Sequence, residues 1–180
     1  MEYFLLTNPL DHVIEKIDRD KFDLETKKIF GEDLLDFYDK YGKSSFGKGL
    51  IQTLNPLTSQ YLLEGWQVPT VPYYPIIKTS FGSIYFKMEH FIGCLDPVHK
   101  EIETNIANIK VLLNLLLSDD EYLNSSCLKD IHKQVYPRLG MLEEDEIYAF
   151  VPALALGGAR SADNVEKVKM KEQLLLLSQL

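Results

Sequence analysis

The sequence predicts an α+β protein, with helices packed against a small, mainly antiparallel sheet and a mostly helical C-terminal part. Three observations point there. Apolar residues recur at helical spacing in LLDFYDKYG (34–42) and again from Ile102 to Leu116. Two β-branched and aromatic runs flank the turn SFGS in YYPIIKTSFGSIYFKM (73–88). A further strand signal, EIYAFVP (146–152), follows the helical stretch.

Element by element, Asn8 and Pro9 read as an N-cap and first helical residue, opening a helix with Leu10, Val13, Ile14 and Ile17 on one face. A second helix is expected over roughly 32 to 41, with Leu34, Phe37, Tyr38 and Tyr41 as its apolar stripe and Gly42 as its stop. From Lys43 the period changes. Gly47, Gly49, Asn55 and Pro56 bracket GLIQTL, a short strand. In WQVPTVPYYP, prolines 69, 72 and 75 disfavour a central strand and predict an extended surface loop carrying Trp66, Tyr73 and Tyr74. These aromatics either form a contact patch or pack back on the sheet. A hairpin follows, with strands near 74 to 79 and 84 to 88 and Gly82 taking the positive φ of its turn.

Asp96 and Pro97 read as the cap and first turn of the longest helix, in which Ile102, Ile106, Ile109, Leu113 and Leu116 repeat over almost five turns. A shorter helix is expected around 126 to 136, with Leu128, Ile131 and Val135 inward and Pro137 ending it. EIYAFVP is then a strand, Val168 and Met170 alternate in a short strand, and MKEQLLLLSQL closes the chain as an apolar helix. The internal boundary falls near Gly93 to Asp96, dividing the chain into an α+β part, 1–95, and a mostly helical part, 96–180.

Composition narrows the function classes. Apolar residues make up 46% of 180, enough for a sizeable core, and the longest apolar run, VLLNLLL, is too short to span a bilayer. Cys94 and Cys127 are the only cysteines, and the N-terminus lacks a signal-peptide pattern, so a cytoplasmic protein with reduced thiols and no membrane partner is expected. A net charge of −8 repels phosphate backbones and attracts basic partners, which argues against direct nucleic-acid binding. A DNA-binding face would rest on Lys167, Lys169 and Lys171 alone, offset by Glu166 and Glu172.

No catalytic signature emerges. The Gly157–Gly158 pair in YAFVPALALGGARSADN lacks the glycine spacing and the lysine of a phosphate loop; with Arg160 and Ser161 it stays open as a turn for a phosphorylated ligand, against a structural turn with Ser161 as N-cap. His90, Cys94, His99 and Glu103 do not have the spacing of a zinc finger, and neither cysteine sits in a nucleophile elbow. No metal and no cofactor are implied. The densest charge cluster is Glu143, Glu144, Asp145 and Glu146, either a solvated loop or a docking patch for a basic partner.

Several blocks carry a family resemblance. LLDFYDKYG (34–42), GLIQTLNP (49–56) and IIKTSFGSIYF (76–86) resemble a GAD-like domain in order and spacing. LGMLEEDEIYAFVPALALGG (139–158) and VEKVKMKEQLLLLSQL (165–180) resemble the C-terminal domain of type VI secretion immunity proteins that accompany DNase effectors. Tyr38 stands where that first family's helix end carries tryptophan; either aromatic can fill a core. The resemblance implies a cytoplasmic immunity protein that binds and neutralises a cognate toxin, a basic nuclease, with no catalytic residues of its own. The candidate toxin-binding residues are Glu143, Glu144, Asp145, Glu146, Trp66, Tyr73 and Tyr74. A homo-oligomer stays open, and the alternative is a small enzyme or binding protein for a phosphorylated ligand at Gly157–Gly158.

Overall fold

A meander of seven antiparallel strands carries the fold. The computed structural model describes residues 8–69 and 71–180. β1 (Leu10–Glu15), β2 (Lys43–Phe46), β3 (Ile51–Thr53), β4 (Tyr74–Thr79), β5 (Ile84–Lys87), β6 (Ile92–Asp96) and β7 (Glu101–Ile106) lie side by side in chain order. Helix α1 (Leu24–Tyr41) enters between β1 and β2. Three helices follow the sheet: α2 (Ile109–Ser118), α3 (Asp120–Ser126) and α4 (Lys129–Leu139). A two-stranded sheet of β8 (Glu146–Phe150) and β9 (Val165–Lys169) then leads into α5 (Met170–Ser178). The α+β expectation holds.

Both faces of the large sheet are covered, because successive side chains of a strand point to opposite sides. On β5, Tyr85 faces a cluster built with Phe30, Leu34, Phe37 and Tyr38 of α1 and Leu112 and Leu116 of α2. Its neighbours Ile84 and Phe86 face a second cluster with Leu62, Ile147, Met170 and Leu174. A third cluster joins Phe81, in the β4–β5 turn, to Leu128, Val135, Tyr148, Phe150 and Val165. The C-terminal elements therefore pack directly on the sheet.

Helix α1 starts at Leu24, eight residues before the expected start at 32, because Asp23 caps it by accepting from the Thr26 N–H at 2.7 Å. Gly31 interrupts it with φ +70, so the anticipated stretch is its second half. It stops at Gly42, as expected.

Residues 10–15, expected as a helix, form β1. The strand's register shifts twice, between Leu10 and His12 and between Val13 and Glu15. Each bulge adds a residue and breaks the period of two, which leaves a spacing that imitates a helical face. Asn8 is no cap: its side chain is buried and donates to the Leu116 carbonyl at 3.3 Å.

The long helix expected from Pro97 is a second correction. Residues 92–106 are the β6–β7 hairpin, and the helix begins only at Ile109, capped by Asn108 accepting from the Val111 N–H at 3.0 Å. The cap-like behaviour of Asp96 is real, since its carboxylate accepts from the Val98 and His99 amides at 2.9 and 3.2 Å, but it serves the hairpin turn. Ile102 and Ile106, four apart, satisfy strand and helix periods alike. The expected boundary between residues 95 and 96 lies within β6, and the sheet continues to Ile106.

Smaller differences have local causes. Pro137 lies inside α4, which ends two residues later at Leu139, followed by the C-cap Gly140 with φ +72. Pro75 lies in β4 beside a register shift with β5, where a missing N–H is tolerated. The hairpin strands, the strand 146–150 and the strand preceding the last helix lie where the residues predict them. Ser161 caps only a single 3-10 turn, Ala162–Asn164, rather than a helix.

Candidate functional site

The acidic loop 143–146 joins the end of α4 to β8, and its position is set by a lysine from the middle of the large sheet. Lys78 is buried on β4 at 2% exposure. Its Nζ donates to the backbone carbonyls of Glu144 and Glu146 at 2.8 and 3.1 Å. Burial lowers its pKa to about 8; the Lys43 charge pushes the same way, and Glu144, Asp145 and Glu146 oppose it. A charged group held in the core by two carbonyls is an anchor.

The remaining partners come from two other strands. Lys43, at the start of β2, pairs with Glu144. On β9, Lys169 stands opposite Glu146 in register and pairs with Asp145 at 2.8 Å and with Glu146 at 3.9 Å. Lys167 also reaches Glu146 at 3.9 Å and donates to the Met141 carbonyl at 2.5 Å. Glu146 folds back to accept from the Glu143 N–H at 2.9 Å. The ion pair with Lys169 lowers the Asp145 pKa. The four carboxylates of the cluster thus sit among four ammonium groups of the same chain, and Glu143 is the member not drawn into an ion pair among the described residues.

Beside the loop lies Tyr61, half-exposed on a 3-10 turn, Gln60–Leu63. Burial raises its phenol pKa, and the charges of Glu144, Asp145 and Glu172 add to the effect. Lys171 lies over its ring at 5.6 Å, and a groove runs on past Leu62, Glu64, Leu174 and Leu175. Sequence reasoning missed Tyr61, Lys43 and Lys78. Only Lys78 left a signal: a lysine inside the apolar strand YPIIKT.

Trp66, Tyr73 and Tyr74 are half-buried rather than displayed. Trp66 and Tyr73 pack on the cluster of Leu54, Leu62 and Phe86, with the Tyr73 and Phe86 rings 6.2 Å apart. Tyr74 packs edge-on against Phe30 at 5.2 Å, and its hydroxyl meets Thr26 Oγ1 at 3.2 Å. No hydrogen bond or ring contact joins these aromatics to the acidic loop among the described residues.

The glycine pair has its amides engaged. Gly157 donates to the Leu154 carbonyl and Gly158 to the Ala153 carbonyl, each at 3.0 Å, which leaves neither for a phosphate. A Cβ on Gly158 would lie 1.8 Å from the Pro152 oxygen, so this glycine is required by chain packing. Ser161 Oγ is occupied by the Asp163 N–H at 3.3 Å.

The thiols are equally committed. Cys94 and Cys127 are buried around the Tyr85 hydroxyl; burial raises Cys94 strongly and pushes Cys127 up to about 12. Among the described residues, no three His, Cys, Asp or Glu side chains converge as a metal site. No helix among them is long and apolar enough to cross a membrane.

Residues 107–180 match the family model described as T6SS immunity protein Tdi1, C-terminal. The match starts one residue after β7 ends and covers α2 to α5 with the small sheet. Among solved structures, the fold is similar to that in the crystal structure of Atu4351 from Agrobacterium tumefaciens, with a TM-score of 0.73 and 17% identity over 99% of this chain and 88% of that one. No curated relative matches the chain.

Proposed function

We propose that this chain is a cytoplasmic immunity protein that binds a cognate effector of a type VI secretion system, a basic nuclease, and neutralises it by binding alone. The observation that carries this reading is the match of residues 107–180 to the Tdi1 C-terminal immunity family. The GAD-like resemblance of the N-terminal part and the division of the chain into two parts belong to the same proposal.

Electrostatics supports the nuclease. An enzyme that cleaves nucleic acid presents a basic cleft, and a protein of net charge −8 is steered toward it. The acidic loop is the proposed contact. An exposed ion pair contributes at most about 1 kcal/mol, so an arginine of a partner can take the place of Lys169 at little cost. Lys78 holds the loop backbone in place meanwhile. Of the aromatic candidates, Trp66 and Tyr73 pack on the cluster of Leu54, Leu62 and Phe86, and Tyr74 packs against Phe30.

Co-expression with the DNase effector tests the function: relief of growth arrest and a complex on a sizing column are expected, and persistent arrest with no complex overturns it. Replacing Glu143, Glu144 and Asp145 by alanine tests the surface. Binding should weaken roughly tenfold at low ionic strength and lose much of its salt dependence. Unchanged affinity would remove the loop from the interface.

A further inference from the structure

A cleft between α4 and the β2–β3 turn has a different character. It is walled by Asn8 and Pro9, by the β2–β3 turn at Gly47, Lys48 and Leu50, and by Lys129, His132, Lys133 and Tyr136 of α4. Its volume is about 280 Å³, room for a small organic ion. Among the described residues, the ionisable groups in its wall are three lysines, a histidine and a tyrosine, with no carboxylate.

His132 is the unusual member. It is 4% exposed, its Nδ1 lies 3.0 Å from Ser80 Oγ, and its Nε2 is buried with no hydrogen-bond partner among the described residues. A buried polar atom without a partner is destabilising, so a ligand able to satisfy it binds with that penalty relieved. The ring stacks on Tyr136 at 5.8 Å, and the Lys48 ammonium lies 5.4 Å above the same tyrosine.

Lys48 is held in an unusual backbone conformation, φ +61, between Gly47 at +60 and Gly49 at +80. The turn is fastened by Asp11, whose carboxylate accepts from the Lys48 and Gly49 amides and from Ser45 Oγ, all at 2.9 Å. Asp11 is thereby occupied beneath the cleft. At the rim Lys129 and Lys133 each reach one carboxylate, Asp120 at 2.7 Å and Asp130 at 3.3 Å. An ammonium has three donors, so each keeps others for a ligand.

We propose that this cleft binds a small oxyanion, a phosphate or carboxylate group, held by Lys48, Lys129 and Lys133 and hydrogen-bonded by Nε2 of His132. In the bound state the Ser80 hydroxyl donates to Nδ1, which puts the imidazole proton on Nε2, facing the anion. The site is independent of the effector-binding reading and lies on other residues. The groups around His132 are Asp11, Lys48, Tyr136, Tyr148 and Ser80. Burial, with Lys48 acting in the same sense, keeps the ring neutral, with its pKa lowered to about 4 against the opposing charge of Asp11. A bound anion adds to the influence of Asp11 and raises that pKa.

The test is a nuclear magnetic resonance titration of the full chain, labelled at histidine, with sodium phosphate and separately with sodium acetate at constant ionic strength. A saturable shift of the His132 signal, with its protonation midpoint moving upward, is expected with one or both salts; which salt acts identifies the anion. Lys48→Gly should weaken binding about tenfold, the scale of a charge-assisted contact. That variant keeps the amide that Asp11 needs and suits the left-handed backbone, so it folds. Lys133→Gln, at an exposed position, serves as the second variant. No saturable shift with either salt, or identical curves for wild type and both variants, overturns the proposal.

Discussion

Lys78 shows how one residue can set a surface it does not reach. Its ammonium is buried in the sheet, its two acceptors are carbonyls of the acidic loop, and its pKa falls from an ordinary 10.5 to about 8 through burial. Between those values the unfolded chain holds a proton that the folded chain has released, so this group makes stability rise with pH from about 8 to 10.5. Lys78→Met should abolish that rise in urea unfolding measured across the window, and should speed amide exchange in residues 143–146. His132 acts at the acid end. Its folded pKa of about 4 lies below the ordinary 6.5, so the unfolded chain takes up a proton first and stability is lost as pH falls from 6.5 to 4. The full loss is on the order of 3 kcal/mol, and His132→Gln should flatten the pH dependence of the melting temperature there. Tyr38 was legible as a core aromatic, and it is fully buried; its hydroxyl reaches the Leu54 and Ile76 carbonyls at 3.1 and 3.4 Å, contacts that no local pattern announces.

At the scale of elements, the turn after β8 separates two roles of glycine. Gly157 adopts φ +83 with open space around its Cα, so Gly157→Ala should cost only about 1 kcal/mol of left-handed strain. Gly158 has the Pro152 oxygen where a Cβ would go, so Gly158→Ala must displace backbone and should destabilise several times more. Thermal melts of the two variants check the order, and equal losses would refute it. Turn and cap residues of this kind made β4, β5, β8 and the end of α1 legible, because each signal acts within a few residues. The two misread elements failed for a physical reason as well. Bulges in β1 and a four-residue spacing in β7 produce periods that helices share, and pairing with a neighbouring strand decides between them.

On the scale of the whole molecule, the sheet is the common floor for both parts of the chain. Leu54, Ile84 and Phe86 share a cluster with Ile147, Met170 and Leu174, and Phe81 shares another with Leu128, Val135, Tyr148 and Phe150. Such shared cores predict one cooperative unfolding transition, with the fluorescence of Trp66, the single tryptophan, coinciding with the far-ultraviolet signal. Two separate transitions would show that the parts are stable independently. Phe81→Ala, at the junction, should cost about 3–5 kcal/mol and lower both signals together. By itself the sequence determined the fold class, the central hairpin, the acidic balance and the residues of the acidic loop, since composition, turn chemistry and short-range periodicity are local. Tertiary structure decided what that loop is: Lys43, Lys78, Lys167 and Lys169 converge on it from strands far apart in the chain. It likewise decided that Gly157 and Gly158 spend their amides on their own chain and that His132 lines a lysine-walled cleft. Charges and amides find partners through strand register and helix packing, which bring together residues whose spacing along the chain carries no periodic mark.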